Sequence, residues 1–233
     1  NKVTQMANRI REENEWIDVN FRLYEYFKSR IVNLLNIKKA IISKLVGLPF
    51  LDEVQKTWDL MKVFIRWNVT LFGQVERYTS AYQNCTLIEC ALTILKEELI
   101  LPYVPQITKE MFIQFQKERA RDEVNKTLNQ DSFNWFLIVD YGKDAKIQMK
   151  NGKFQYNYEG KPERQCVDTF EKHILDKLLK ETKEFYSRFV HENESISVVD
   201  YLNAANRYLE EEKMRIRYYY PVKDFETQVM KTY

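Results

Sequence analysis

The side chains with the most reactive chemistry in this 233-residue chain are few and widely spaced: Cys85, Cys90, Cys166, His173 and His191. A metal centre needs several thiolate or imidazole donors converging on one ion. Cys85 and Cys90 have no histidine near them in sequence, and His173 and His191 fall on one predicted helix and at its end. Cys166 stands near Arg164 and His173, a setting that could lower a thiol pKa, but the spacing brings no base onto the same face. A surface or half-buried thiol is the better reading of Cys166. No H-E-x-x-H, G-x-S-x-G or phosphate-binding glycine loop occurs. The expectation is a non-catalytic protein that uses no cofactor and no metal.

Composition narrows the class further. Lys and Arg number 36 against 34 acidic residues, a formal net charge of +2, so no long-range field points to nucleic acid as a partner. No run approaches the length of apolar residues that a membrane span requires. Three sparse cysteines suit a reducing compartment, which leads us to expect a cytoplasmic and/or nuclear protein. A start at Asn1 rather than Met suggests a trimmed chain. With 45% hydrophobic and 14% aromatic residues, but only five Gly and five Pro, the chain has material for a core and few turns, which predicts an all-α fold.

The elements follow from periodicity. Phe21 to Asn36 reads as a first helix through Tyr24, Phe27, Ile31, Leu34 and Leu35. Asp52 and Gln55 resemble a capping box that opens a helix running through Trp58. Phe64, Trp67, Leu71, Val75, Tyr78 and Tyr82 form an apolar stripe expected to pack in a core. A break at Asn84 precedes a helix with Ile88, Ala91, Leu92, Leu95 and Leu99 on one side, which Pro102 and Pro105 should end. Thr108 should cap the helix from Met111 to Arg119, and another helix covers Phe133 to Tyr141. Between residues 142 and 164, Gly142, Gly152 and Gly160 and the alternation of Phe154, Tyr156 and Tyr158 suggest a loop or short strand pair. Residues 221–233 read as the start of a following helix.

The last third carries a helical hairpin. Phe170, Ile174 and Leu178, with Leu175, Leu179, Phe185 and Phe189, predict a helix from Phe170 to Val190. Ser197, answered by Asp200, caps a second helix whose expected buried row is Val198, Leu202, Ala205, Leu209 and Ile216. The Ala204-Ala205 pair leaves room for another helix axis, and Glu210, Glu211 and Glu212 are expected to face water.

The order Phe170-Glu171, Leu175, Glu184-Phe185-Tyr186, Asp200-Tyr201-Leu202, Ala204 and Leu209 to Arg215 resembles the end of the second N-terminal repeat of the cullins. Trp58 to Tyr82 and Leu87 to Glu123 resemble the preceding cullin segments, with the usual Y-L-x-R represented by Tyr78-Thr79-Ser80-Ala81. The resemblance implies an elongated stack of helical bundles: a first cullin-like repeat over 1–84, a second over 85–220, and the opening of the next element over 221–233. It further implies the scaffold of a cullin-RING ubiquitin ligase, whose N-terminal repeats dock a substrate-receptor adaptor. The adaptor could be Skp-type, BTB, propeller-type or an Elongin-like pair, and the RING subunit would bind only a C-terminal part with no counterpart among these residues. Carrying the family's two adaptor helices onto this chain implies one over Val3 to Glu13 and another over about Pro49 to Lys62, and gives Met6, Ile10, Phe50, Leu51, Val54 and Gln55 as contact candidates. The competing reading of Phe50 and Leu51 is that they staple a helix start into the core. A helical-rod subunit of a vesicle-tethering complex is the alternative function.

Overall fold

The computed structural model describes residues 2–140, 147–150, 153–156, 168–192 and 197–219. The described residues are almost entirely helical and form two compact units, Asn1–Tyr103 with Ile138–Cys166, and Val104–Leu137 with Val167–Tyr233. The fold is all-α, with one small hairpin in which β1 (Ile147–Lys150) pairs antiparallel with β2 (Lys153–Tyr156), Ile147 opposite Tyr156. That hairpin meets the expectation of a short strand pair. Tyr158, Gly142, Gly160, Cys166 and the helix expected over 221–233 lie outside the described residues.

In the first unit, α1 (Lys2–Ile42) is one helix of 41 residues, where periodicity predicts a helix over Phe21 to Asn36 and the family resemblance implies a separate one over Val3 to Glu13. Nothing between Glu13 and Phe21 breaks a helix: the stretch holds no Gly or Pro, and Arg11–Glu15 and Asp18–Arg22 form ion pairs one turn apart across it. The chain reverses at Gly47, whose φ of 70° favours glycine, and α2 (Leu48–Leu71) starts there with Pro49 in its first turn. The expected Asp52/Gln55 cap therefore lies inside the helix, where Asp52 pairs with Lys56 and Gln55 donates to Asp59.

The helices α1 and α2 run antiparallel. Lys38 Nζ meets Glu53 at 3.0 Å near one end, and the Phe27 and Phe64 rings stack at 6.5 Å further along. Between them Phe27, Ile31, Leu35 and Ile42 of α1 bury against Phe50, Leu51, Val54, Trp58, Met61 and Ile65 of α2. The third side of this core comes from α4 (Leu87–Leu95) and the wide π-helical turn Lys96–Ile100 that continues it.

At Phe72 the predicted apolar stripe is broken. Its φ of −102° and ψ of 37° end α2, and α3 (Gly73–Tyr78) begins on a new axis. Val75 and Tyr78 turn inward against Tyr24 and Trp16, whereas Trp67 and Leu71 are left 62% and 73% exposed. A π-helical turn, Thr79–Gln83, then leads to Asn84 in the left-handed conformation, the expected break. Thr86 caps α4 in a complete capping box with Glu89, a T-x-x-E signal that periodicity alone passes over.

In the second unit, α5 (Val104–Arg119) starts earlier than predicted, because Pro105 sits in its first turn, where a missing N–H costs nothing. Thr108 is consequently an interior residue, its hydroxyl donating to the Pro105 carbonyl. Asn125 caps α6 (Lys126–Asp140) through the Leu128 N–H at 3.0 Å. A short α7 (Asp168–Phe170), a π-helical turn over Glu171–Leu175 and α8 (Asp176–Glu192) run on continuously, covering the predicted Phe170 to Val190 helix. Finally α9 (Val198–Tyr219) is capped as expected by Ser197, whose Oγ accepts from Asp200 N–H at 3.2 Å.

The core of this unit is aromatic: Phe115, Phe133 and Tyr219 meet with centroids 5.5 to 6.4 Å apart. Only the last third of α9 is buried. Val198 and Leu202, expected in the core, are exposed, Ala205 and Leu209 are half-buried, and Ile216 alone of that row is fully enclosed. Ala205 instead borders a groove of about 300 Å³ lined by Phe189, Tyr201 and Leu209 among others.

Two leucines on α2 separate the inner from the outer face. Leu51→Ala, which empties a fully buried site, should cost about 2–5 kcal/mol in urea unfolding, whereas Leu71→Ala should stay within about 0.5 kcal/mol.

Candidate functional site

The sequence candidates separate cleanly by exposure. Phe50, Leu51 and Val54 are completely buried and belong to the core of the first unit, so they offer no surface to a partner. This corrects the expectation that they form a contact face, and for Phe50 and Leu51 the packing reading holds. The Phe50 ring lies 5.9 Å from Tyr103. Gln55 is half-buried and engaged with Asp59. Met6 and Ile10 are 67% and 52% exposed on α1. With Phe27 level with Phe64, and Lys38 with Glu53, α2 reaches back only to about the level of Asn20, so it does not cover the first turns of α1.

Periodicity assigned Trp67 and Leu71 to a core stripe and passed over Leu60 and Val63 on the outer face of α2. Leu60, Val63, Trp67 and Leu71 are all exposed and recur at intervals of three and four residues, so they form one apolar stripe along the solvent side of the helix. The sequence signal was present, because α2 is amphipathic twice over: one row packs inward and a second faces out. Exposed contiguous apolar area of this kind marks interaction surfaces.

The second unit contains a buried ionic cluster instead of a surface site. The guanidinium of Arg119 donates to Glu212 at 2.6 and 3.2 Å and to Thr182 Oγ1 at 2.6 Å. Arg215 donates to the same carboxylate, and Tyr186 adds a hydroxyl at 3.1 Å. The side chains of Arg119 and Glu212 are 1% and 0% exposed. The Arg119 guanidinium also lies over the rings of Phe115 and Phe185, at 4.7 and 5.1 Å from their centroids. Beside it Glu118 accepts from Tyr219 at 2.6 Å, and burial together with that carboxylate pushes the Tyr219 phenol well above its ordinary pKa. Glu212 therefore does not face water as its E-E-E context suggests. Glu210 and Glu211 do lie at the surface, pairing with Lys213 and Arg121.

No group of three or more His, Cys, Asp or Glu side chains that could hold a metal ion occurs among the described residues. Cys85 and Cys90 are free thiols, and burial raises both above the usual thiol range, so neither is poised as a nucleophile. No described helix is long and apolar enough to cross a membrane.

These helical units are what a repeat scaffold is made of, and the family model of the Cullin alpha solenoid domain matches residues 8–233. The chain belongs to the cullin family. No individual curated protein matches it. The cullin solenoid is a scaffold fold that works by holding protein partners such as adaptors, which accords with an exposed apolar stripe in one unit and a rigid ionic lock in the other.

The lock is directly testable in this cullin. Glu212→Ala leaves two buried guanidinium groups without their carboxylate and should lose about 3–5 kcal/mol in chemical denaturation. Glu210→Ala, a surface change one turn-fraction away, should be nearly silent.

Proposed function

We propose that this chain is the adaptor-docking region of a cullin-RING-type ubiquitin ligase scaffold, acting in the cytoplasm and/or nucleus. The first repeat, 1–84, receives the adaptor, and residues 85–220 are the second repeat. One observation carries the docking assignment: the stripe Leu60, Val63, Trp67 and Leu71 on α2, which no other helix among the described residues of its unit covers, in a chain matched by the cullin solenoid along nearly its whole length.

Met6 and Ile10 on α1 supply further apolar contacts, and the adaptor is a protein that lays a complementary apolar helical face on these helices. Trp67 is the anchor of the surface, since a large aromatic that becomes desolvated at the centre of an interface dominates its energy. Transfer of ubiquitin itself belongs to partners brought to the scaffold, with the RING subunit recruited elsewhere on the full ligase.

The test is an affinity capture from cell extract read by mass spectrometry, with Val63→Asp/Trp67→Asp and Met6→Asp/Ile10→Asp as paired controls. All four positions are surface ones, so circular dichroism should match the parent. Recovery of a ligase adaptor by the parent, with affinity reduced at least about 30-fold in the Val63/Trp67 variant, is the expected result. Capture of vesicle-tether subunits, or equal capture by parent and variants, would overturn the assignment.

A further inference from the structure

The apolar row that α1 turns to the core of the first unit continues past the end of that core. Tyr24, Phe27 and Ile31 are buried, and the same row runs back through Asn20 and Ile17 to Ile10 and Met6 at intervals of three, four and seven residues, the heptad spacing by which paired helices meet. The helix α2 reaches back only to about the level of Asn20, and Trp16 packs beside Tyr78 and Tyr82 with ring centroids 6.4 Å away. Beyond that point Ile17 is half-buried and Met6 and Ile10 lie open, so roughly 22 Å of helix from Gln5 to Val19 carries an uncovered apolar edge. A stretch of this length gains little stability from helix propensity and is secured by packing along one face. Its charges are sorted by sign along its length. Arg9 and Arg11 have no acidic residue before them, and Glu12, Glu13, Glu15 and Asp18 follow with no basic residue among them. Arg11 pairs with Glu15 and Asp18 with Arg22 along the helix, while Arg9, Glu12 and Glu13 have no ion-pair partner among the described residues.

We infer that the first turns of α1 pair antiparallel with the same turns of a second copy of this chain. A two-fold axis between Arg11 and Glu12 sets Met6 level with the second copy's Ile17, and Ile10 level with its Glu13. The same axis lays Arg9 and Arg11 beside the second copy's Glu12, Glu13 and Glu15. Parallel pairing in register would set arginine against arginine and glutamate against glutamate, which is costly, so the order of signs selects the antiparallel arrangement. Glu13 is the polar member of the row, and a place beside the second copy's Arg9 gives it an ionic partner that its own chain does not supply. Three apolar residues a side over so short a contact make a small interface, hence a weak and readily exchanging dimer. Self-pairing engages Met6 and Ile10, so an adaptor contact there displaces it, but it does not depend on docking at the α2 stripe.

Sedimentation velocity of the purified full chain, from micromolar to millimolar concentration, reads the pairing with no other protein present. The expected result is a shift from monomer to dimer as concentration rises. Arg9→Glu/Arg11→Glu leaves only negative charge between residues 9 and 18 and should weaken self-association at least about tenfold. Glu12→Lys/Glu13→Lys/Glu15→Lys, which reverses the other half, should weaken it as much. All five positions are exposed, and circular dichroism checks that each variant keeps the helix content of the parent. Mixed in equal amounts, the two variants should pair about as tightly as the parent, because each then meets the opposite sign. A monomer at every concentration, the outcome also if an adaptor or another segment of the chain is what covers the row, would overturn the inference. So would charge variants that self-associate as the parent does, or a mixture that stays monomeric.

Discussion

A carboxylate shut away from water between two guanidinium groups can be satisfied in very few geometries, and Glu212 imposes that restriction on the second unit. Arg119 comes from α5, Arg215 lies on α9 one turn beyond Glu212, and Thr182 and Tyr186 reach in from α8. Rotating or sliding α9 by one residue would carry Glu212 away from Arg119 and leave buried charges unpaired, a cost far above that of a misplaced leucine. The rotation that seats Glu212 also directs Ile216 and Tyr219 to the core, where Tyr219 closes the aromatic group with Phe115 and Phe133. Apolar residues of similar volume could match this cluster in stability, but they would not select one register so sharply.

That cluster also shows where reading the sequence ran out. Helix identity was legible in the spacing of apolar residues, as were the Ser197 cap, the Asn84 break and the small hairpin. The order of residues from Phe170 to Arg215, with the blocks Trp58 to Tyr82 and Leu87 to Glu123 ahead of it, indicated the family. Glu212 was misread because its neighbours are Glu210 and Glu211, and local context cannot reveal that Arg119, 93 positions earlier, lies against it. Helix ends were misplaced for a related reason. Proline was read as a stop before α5, when in a first turn it serves equally as a start.

Periodicity locates an apolar row but does not say which way it faces. On α2 two rows coexist, and the one beginning at Phe50 is internal while the one through Trp67 is external. The docking candidates Phe50, Leu51 and Val54 fall in the internal row of α2. Only the position of α1 and α4 decides between the sides, and that is a tertiary fact. The break at Phe72 was similarly hidden, since Val75 and Tyr78 resume the same spacing on a new axis, and Gly73 was the one local sign of it.

The wide turns over Thr79–Gln83, Lys96–Ile100 and Glu171–Leu175 bear on how such chains diverge. Each holds one residue more than an α-helical turn would, so each absorbs a single-residue insertion without ending the helical path, while rotating everything downstream by about 100°. A repeat protein can in this way accept a change of chain length inside a helix as well as in its loops, provided the face beyond is rewritten to suit. Tyr78-Thr79-Ser80-Ala81 runs directly into one of these turns, so its residues leave strict α-helical spacing there. A residue gained or lost at one of these turns would therefore change the chain's length inside a helix, with no loop touched.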